Sequence, residues 1–329
     1  MPIAIAGSIA TDHLMTFSGR FADSLVVDQL DKISVSFLAH TLEIRRGGVA
    51  ANISFGMANL GQRPVLAGAV GEDFDDYRSW LERHGVDCES VHVSETQHTA
   101  RFVCTTDDDM AQIATFYAGA MSEAREIELA PIAARVGGLD LVLVGPDDPD
   151  AMRRHTAECR DRGIPFVADP SQQLAFGDGE LIRDLIDGAA YLITNEYESH
   201  LTEQKTGWSQ EEINARVGHR VTTLGPEGVR ITGEDLDEPI VVGAAREVTK
   251  ADPTGVGDAF RAGFLTGVAE DLPLRESAEL GSMLATYVVE TVGTQEYQLG
   301  TARFLERFSE AYGRESADLI AGHIRCPRP

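Results

Sequence analysis

The segment best equipped for chemistry is Lys250–Phe264, which reads KADPTGVGDAFRAGF. Gly255 and Gly257 bracket Val256 before a run of small and apolar residues, a pattern that predicts the start of a helix. Backbone N–H groups at a helix start can approach an anion closely, and the helix dipole favours negative charge there. Asp258, in the predicted first turn, could accept a proton at neutral pH. The segment therefore predicts phosphoryl transfer beside a general base, against the alternative that Asp258 only caps the helix.

A second glycine-rich segment, Arg45–Gly61, reads RRGGVAANISFGMANLG and predicts a helix with one packed face. The residues that recur at helical spacing are Ile53, Gly56, Met57 and Leu60. Asn52 lies one turn after the glycine pair Gly47 and Gly48. Its amide could bond a substrate hydroxyl, or it could cap or solvate the first turn, and the residues alone leave both interpretations open.

Short apolar runs alternate along the chain with longer segments of helical period. The predicted strands are Ile3–Ala6, Leu141–Val144, Pro165–Ala168, Tyr191–Ile193 and Arg220–Thr223. Among the helices predicted between them are Pro149–Arg162 and Ser209–Val217. This alternation predicts an α/β fold, with a doubly wound and mostly parallel sheet flanked by helices. Ligands of such sheets bind at the carboxyl ends of the strands, so polar residues just after each strand are site candidates.

Two stretches interrupt this alternation. The short strands predicted there are Ile33–Leu38, Leu42–Ile44, Thr99–Cys104 and Gln112–Tyr117. They are too few to form an independent core, so we expect a small β-sheet lid over the cleft. The chain is then one domain, residues 1–329, with the lid formed by inserted segments at about 13–46 and 97–121.

Composition limits the classes of partner. The chain has 329 residues, of which 53 are acidic and 28 basic, so its formal net charge is −25. This charge disfavours nucleic acid and anionic membranes as partners. The four cysteines, Cys88, Cys104, Cys159 and Cys326, form no C-x-x-C pair, which favours a reduced protein without a disulfide framework or zinc site. No basic leader or long apolar run is present, so we expect a cytoplasmic location.

Two motifs far apart in the chain fit one family pattern. They are G-G-x-x-x-N at residues 47–52 and D-x-x-G-x-G-D at residues 252–258. Together they resemble the paired signatures of the ribokinase-like (PfkB-type) carbohydrate kinases, and the resemblance runs from residue 3 to about residue 293. The family's second motif usually reads D-T-x-G-A-G-D, so Pro253 and Val256 depart from it but leave the glycines and the last Asp in place.

The resemblance implies transfer of the γ-phosphoryl group of ATP to a primary hydroxyl. Asp258 would take the hydroxyl proton, and the N–H groups of Gly255, Val256 and Gly257 would hold the phosphoryl oxygens. Asn195 and Glu198, directly after a predicted strand, are similar to the family's N-x-x-E and would orient Mg²⁺ and phosphates through waters. A solvated helix charge is the alternative for Glu198.

Further nucleotide contacts follow from the same resemblance. The loop TLGPEG, residues 223–228, is similar to the family's nucleotide loop. The residues implied to contact ATP are Asn195, Thr223, Gly225, Gly228 and Gly257. The family commonly uses a monovalent cation such as K⁺, which Asp252 could help to hold.

The acceptor pocket is harder to predict from the residues. The resemblance matches Asp12 to the Asp that binds sugar hydroxyls in the family, and a carboxylate can accept two hydrogen bonds from a cis-diol such as that of ribose. An Asx turn after the strand is the alternative. Phe102 and Phe116, on the two hairpin strands, could sandwich a purine or could pack against each other across the strands. Gln172 and Gln173 offer the donors and acceptors that match the N1/N6 edge of adenine.

Within the family, the chain most resembles the bacterial adenosine kinases, through segments such as SIATDHLM, TARF, DPSQQLA and TLGPEGV. That resemblance implies phosphorylation of adenosine at the 5′-hydroxyl by Mg·ATP to give AMP and ADP in purine salvage, and a homodimer paired through the lid strands. The adenosine contacts that it implies are Ser8, Asp12, Ser36, Gly48, Asn52, Phe102, Phe116, Gln172 and Gln173.

Other functions stay open at this point. A second sugar or nucleoside kinase of the ribokinase or fructokinase type would share both motifs. A catalytically silent nucleoside- or sugar-binding protein could use the same fold, although it would have no need of the base Asp258. A nucleotide-dependent oxidoreductase is disfavoured, because the first strand ends in Gly7-Ser8-Ile9 rather than in G-x-G-x-x-G.

Overall fold

The computed structural model describes residues 1–25, 32 and 34–326. Within these residues, the main sheet has eight strands. In spatial order they are β14 (Ile240–Val242), β13 (Val229–Gly233), β12 (His219–Thr223), β11 (Tyr191–Asn195), β10 (Phe166–Ala168), β9 (Leu141–Val144), β1 (Ile3–Ala6) and β4 (Val65–Ala67). The six strands from β12 to β4 are parallel, and at one edge β13 pairs antiparallel with β12 and β14 pairs antiparallel with β13. The doubly wound, mostly parallel sheet predicted from the sequence is confirmed.

Helices cover both faces of this sheet. Their bounds are α1 (Phe21–Ser24), α2 (Val49–Asn59), α3 (Asp75–Arg83), α4 (Leu129–Val136), α5 (Pro149–Arg162), α6 (Gln173–Phe176), α7 (Gly179–Ile186), α8 (Glu196–Thr206), α9 (Gln210–Asn214), α10 (Val256–Ala269), α11 (Leu274–Val289), α12 (Thr301–Tyr312) and α13 (Arg314–Ile320). Ile3 and Ile5 pack into one core with α2, α10 and α11, whereas Ala4 and Ala6 pack into a second core with α4, α5 and α7. This alternation is the period of two that a strand buried on both faces requires. No helix of the described chain is both long and apolar enough to cross a bilayer.

A second sheet lies apart from the main one. Its strands, in spatial order, are β3 (Ala39–Gly47), β2 (Ala10–Phe17), β7 (Ala100–Thr106) and β8 (Gln112–Tyr117). A separate pair of strands comprises β5 (Ala69–Gly71) and β6 (His92–Ser94). The strand predicted at Ile33–Leu38 is wrong for residues 34–38, which have no regular structure, and Ile33 lies outside the described residues. Pairing with β2 instead makes one continuous strand from Ala39 onwards.

The helices that carry the two glycine motifs pack unusually close together. A Cβ atom added at Gly56 of α2 would lie 2.6 Å from the Cβ of Ala262 of α10. On its other side α10 packs equally tightly on α11, since a Cβ at Gly263 would lie 2.6 Å from the carbonyl oxygen of Leu280. Such separations leave no room for side chains at these two positions. The N-termini of α2 and α10 are thereby held side by side at the carboxyl edge of the main sheet.

Candidate active site

A cleft of about 640 Å³ lies between the carboxyl edge of the main sheet and the second sheet. Five of the parallel strands each contribute a residue to this cleft, either the last residue of the strand or one shortly after it. These residues are Ser8, Asp147, Ser171, Asn195 and Thr223. The second sheet and the starts of α2 and α10 line it as well. The predicted site residues that line it are Ser8, Asp12, Gly48, Asn52, Phe116, Gln172, Gln173, Asn195, Glu198, Thr223, Gly255, Gly257 and Asp258.

The remaining predicted residues lie elsewhere in the described chain. Ser36 is exposed in the irregular stretch 34–38, and Phe102 is partly buried beside Phe116 on the neighbouring strand. Gly225 and Gly228 lie in the turn after β12, and a Cβ at Gly228 would lie 2.0 Å from the carbonyl oxygen of Val242. The structure therefore gives Gly228 a packing role in this turn.

The start of α10 is built as an anion cradle. Gly255 caps the helix with a φ of +76°, and a Cβ there would lie 2.8 Å from Cγ2 of Thr294, so both the conformation and the space call for glycine. The first N–H groups of a helix have no intrahelical acceptor. Here the N–H of Val256 donates to the carbonyl oxygen of Pro253 at 3.4 Å, whereas the N–H groups of Gly255, Gly257 and Asp258 lie at the edge of the cleft. This end of α10 can therefore accept phosphoryl oxygens.

Asp258 lies in the first turn of α10, partly buried in the wall of the cleft. Burial raises the pKa of Asp258 above its usual range, while Arg261 and a hydrogen bond from Asn52 oppose that rise. The Asn52 amide, at Nδ2, donates to Oδ2 of Asp258 over 2.9 Å. A carboxylate with a raised pKa is a stronger proton acceptor than an exposed one, so this geometry suits a general base.

A buried network fixes the direction in which the Asn52 amide points. Its Oδ1 accepts hydrogen bonds from Oγ1 of Thr294 at 3.0 Å and from Nε2 of Gln295 at 2.9 Å. The same Gln295 nitrogen donates to the Tyr77 hydroxyl at 2.6 Å, and that hydroxyl donates to the carbonyl of Gly47. Because Oδ1 is engaged in this way, Nδ2 must face Asp258. In this structure Asn52 therefore holds the carboxylate of the candidate base.

Gly48, between β3 and α2, packs against the loop after β1. Its φ is +93°, and a Cβ there would lie 2.6 Å from the Ser8 carbonyl oxygen and from the backbone of Ile9 and Ala10. The Ser8 hydroxyl accepts a hydrogen bond from the N–H of Val49 at 3.1 Å. The loop after β1 and the start of α2 thus form one tightly packed wall of the cleft.

Asp12 lies on β2 and points to the cleft side of the second sheet. Burial raises the pKa of Asp12 to about 6, with Arg45 opposing the shift and Glu296 reinforcing it. Asp12 pairs in register with Phe102, and Phe102 pairs with Phe116, so the three share one face of the sheet. The ring of Phe116 is 54% exposed and lines the cleft. One face of this sheet thus presents a carboxylate and an open aromatic ring.

The opposite wall of this part of the cleft begins after β10. Ser171 has a φ of +40°, and the short helix α6 follows it. Nε2 of Gln173 donates to the carbonyl oxygen of Asp147 at 2.8 Å, while Gln172 is exposed. Phe176, at the end of α6, is 84% exposed and lines the same cleft. Sequence reasoning missed Phe176 because an isolated exposed ring leaves no pattern.

Asn195 and Glu198 line the cleft at the start of α8. Oδ1 of Asn195 accepts from the N–H of Glu198, and Oε2 of Glu198 accepts from the N–H of Asn195, each at 2.8 Å. The pair is therefore a capping box. The described residues contain no group of three or more His, Cys, Asp or Glu side chains that could hold a metal ion. One carboxylate and one amide nevertheless fit Mg²⁺, which keeps several of its own waters and binds mainly through substrate phosphates.

Asp252 lies just before α10, with its carboxylate already engaged. It accepts from the N–H of Thr254 at 2.9 Å and from the N–H of Gly293 at 3.1 Å, and Nη1 of Arg45 lies 3.6 Å away. Burial alone would raise the pKa of Asp252, but these groups outweigh it and lower that pKa. Arg45 thus supplies positive charge beside Asp252, the residue that the sequence predicts could help to hold a monovalent cation.

Comparison with known proteins identifies the family of the chain. The profile of the pfkB family carbohydrate kinases matches residues 14–300. A nucleoside kinase from Methanothermobacter thermautotrophicus is 28% identical over 292 residues, covering 88% of this chain and 93% of that protein. The ligand-free structure of a nucleoside kinase from Burkholderia thailandensis is 35% identical, with a TM-score of 0.84 over 93% of this chain and 99% of that one.

A second structure of the Burkholderia thailandensis nucleoside kinase holds ADP and inosine. It is 35% identical, with a TM-score of 0.80 over 95% of this chain and 96% of that one. The fold, with its cleft at the carboxyl edge of a doubly wound sheet, is that of ribokinase-like phosphotransferases. The chain belongs to the pfkB family of carbohydrate kinases. The relatives described above are nucleoside kinases by name, which is broader than the adenosine kinases that the sequence resembles, and ribokinases are among the further matches.

Proposed function

We propose that this kinase transfers the γ-phosphoryl group of ATP to the 5′-hydroxyl of a purine nucleoside, with adenosine as the acceptor, giving AMP and ADP. The observation that carries the proposal is the Asn52–Asp258 hydrogen bond at the N-terminus of α10, in a cleft that Asp12, Phe116 and Gln172 also line. A general base, an anion cradle and a nucleoside-sized pocket thus open onto one space.

In the proposed reaction, Asp258 takes the proton of the 5′-hydroxyl as that oxygen attacks the γ-phosphorus. The bond from phosphorus to the bridging oxygen of ADP breaks, and ADP leaves with that electron pair. The N–H groups of Gly255, Gly257 and Asp258 stabilise the negative charge on the phosphoryl oxygens, whereas the N–H of Val256 is already paired with Pro253. Asn195 and Glu198 would hold Mg²⁺ through its waters, and the ion would neutralise phosphate charge.

The acceptor follows from the other half of the cleft. Asp12 would accept hydrogen bonds from the ribose hydroxyls, and the exposed ring of Phe116 would stack on the base. Side-chain amides such as those of Gln172 and Gln173 can serve as donor or acceptor, so they fit the edge of adenine or of hypoxanthine. Inosine is the second candidate, because the Burkholderia thailandensis relative is described with it.

The decisive assay is ADP release at fixed Mg·ATP with adenosine, inosine, ribose and fructose offered separately. We expect the largest kcat/KM with adenosine, a smaller one with inosine, and little turnover of either free sugar. A preference for inosine would move the acceptor within the same proposal. A preference for ribose or fructose would overturn the nucleoside assignment, and nucleoside binding without ADP release would indicate a binding protein.

We also propose that the second sheet acts as a lid. Its cleft side carries Asp12 and Phe116, while its strands join the rest of the chain close to Ser8 and Gly48. Closure would exclude water, which otherwise competes with the nucleoside as phosphoryl acceptor. ATP hydrolysis measured without nucleoside should therefore stay far below the kinase rate, and a comparable rate would contradict a closing lid.

The far side of the second sheet supports a homodimer paired through these strands. Leu42 and Ile44 on β3 are each 59% exposed, and Ile113 on β8 is 46% exposed. Leu42 and Ile44 alternate with Arg45, and Ile113 lies an odd number of residues from Phe116, so all three lie on the side away from the cleft. Sedimentation equilibrium should give a dimer that Leu42→Asp weakens, and a monomeric wild type would contradict this pairing.

A further inference from the structure

Arg261 lies one turn after Asp258 on α10, and both residues line the cleft. Nη2 of Arg261 donates to Oδ1 of Asp169 over 2.6 Å. This ion pair is deeply buried, since Asp169 is 0% exposed and Arg261 is 7% exposed. Asp169 follows β10, so the pair ties the candidate catalytic helix to the carboxyl edge of the main sheet.

Some polar atoms of this ion pair lack the hydrogen bonds that a purely structural ion pair would make. Oδ2 of Asp169 and Nε of Arg261 are buried and have no hydrogen-bond partner among the described residues. Buried pairs with unsatisfied groups contribute little to stability, because the desolvation of both charges offsets their attraction. Stability alone therefore gives a weak reason for this arginine to be here.

The guanidinium also lies against the anion cradle. Nη1 of Arg261 would be 2.9 Å from a Cβ atom at Gly257, so any side chain there would displace it. Glycine at this position leaves the space beside the helix start to a positive charge. A positive charge at this place favours the binding of an anion in a chain whose formal net charge is −25.

Groups from several elements act on Asp258. Asn52 of α2 is a neutral donor, and Glu198 of α8 is an anion that opposes ionisation of Asp258. Tyr297, from the loop before α12, stays a neutral phenol because burial raises its pKa. Asp169 is a further anion close enough to Asp258 for their charges to interact. Among these groups in the described chain, Arg261 is the cation.

We propose that Arg261, held by Asp169, is a positioning residue that keeps the Asp258 carboxylate ionised and ready to accept the hydroxyl proton in the closed, water-poor site. This role rests on the proposed function, since it requires Asp258 to act as the base. Asp169 has the complementary part of holding the guanidinium beside the helix start. Asp169 thereby prevents Arg261 from pairing with Asp258 itself and blocking the base.

The test is the pH dependence of kcat/KM for the nucleoside in wild type, Arg261→Lys, Arg261→Gln and the double variant Asp169→Asn/Arg261→Gln. The double variant leaves no unpaired charge buried, so it keeps the test open if Arg261→Gln fails to fold. Arg307→Gln is the matched control, because it removes another arginine–carboxylate pair, with Glu290, whose two side chains are about 15% exposed and lie outside the cleft.

We expect loss of the cation to move the acidic limb of the profile upward by about 1 pH unit in Arg261→Gln. The upward shift should be smaller in the double variant, because that variant also removes the anion Asp169. Arg261→Lys should keep the limb near the wild-type position, and Arg307→Gln should lower thermal stability without moving it. An unshifted limb in folded Arg261→Gln would overturn the inference while leaving the kinase assignment intact. If that variant does not fold, a double-variant limb at or below the wild-type position would overturn it in the same way. Absence of ADP release by wild type with every nucleoside would instead overturn the proposed function.

Discussion

The two ends of the cleft are built differently. At the phosphoryl end, Asp258 is held by Asn52, whose amide is itself held by Thr294 and Gln295. At the nucleoside end, the rings of Phe116 and Phe176 are 54% and 84% exposed, so the described residues cover about half of the first ring and little of the second.

The difference separates two tasks. Groups that stabilise a transition state are most effective when they are already in place, because no free energy is then spent on reorienting them. Groups that recognise an acceptor can be ordered by the acceptor itself, at a cost in affinity. We therefore expect changes at the phosphoryl end to lower kcat, and changes at the nucleoside end to raise KM.

The largest effect is expected from Asp258→Asn. An amide cannot take the hydroxyl proton, so kcat should fall by ~10²–10⁴-fold while the nucleoside still binds. Steady-state kinetics and calorimetry measure the two quantities separately. Asp318→Asn, which removes a carboxylate that is 74% exposed on α13, is the control and should leave both unchanged. Comparable turnover by Asp258→Asn would remove this residue from the role of base.

A smaller loss is expected from Asn52→Ala. A hydrogen bond to a charged group is worth about 1.5–3 kcal/mol, so kcat should fall about 10- to 100-fold as Asp258 loses its support. The matched control is Asn59→Ala on the same helix, whose Nδ2 donates to the carbonyl oxygen of Phe55 at 3.0 Å. Both variants should lower the free energy of unfolding, and equal kcat values for the two would contradict the assignment of Asn52.

At the nucleoside end, Phe116→Ala should raise KM for the nucleoside about tenfold with little change in kcat, because stacking of a base on an aromatic ring contributes about 1–3 kcal/mol. Tyr117→Ala, the next residue on β8 and on the other face, is the control. Phe102→Ala tests the sandwich predicted from the sequence. If only Phe116→Ala raises KM, the base contacts one ring, and if neither does, the stacking role is wrong.

The smallest effect is expected from pH acting on Asp12. Since burial raises the pKa of Asp12 to about 6, the carboxylate is ionised at pH 7.5 and becomes protonated below pH 6. Protonation removes hydrogen-bond acceptors for the ribose hydroxyls, so the nucleoside Kd should rise as pH falls through about 6. Calorimetry without ATP measures this rise. Asp12→Asn should bind weakly at every pH, and an equally steep pH dependence in that variant would exclude Asp12 as the titrating group.

Most of the correct sequence predictions rest on local patterns, such as helix caps and the spacing of apolar residues. Pro149–Arg162 matches α5 to the residue, because Asp148 caps its start and Gly163 ends it in a left-handed conformation. Ser209–Val217 overshoots α9, which ends at Asn214. Val217 is nevertheless buried, in the core that also contains α4, α5 and α7. Its spacing from the apolar residues of α9 is therefore the same as in a longer helix.

The support of the base could not be predicted in the same way. Thr294 and Gln295 follow no strand and belong to no glycine motif, yet they set the direction of the Asn52 amide. Their role depends on where the loop after α11 meets α2, which is tertiary packing rather than sequence pattern. The position of Arg261 could have been predicted from the sequence, because its spacing of three residues from Asp258 places both side chains on one edge of the helix.

Gly56 and Ala262 touch no reactant, yet the close contact between them affects the reaction. An added methyl group at either position would wedge α2 away from α10 and separate the amide from the carboxylate it steadies. Activity can thus be lost by strain in the middle of two helices while the pocket itself is untouched. Inherited changes at these two positions are accordingly expected to occur together, one shrinking as the other grows.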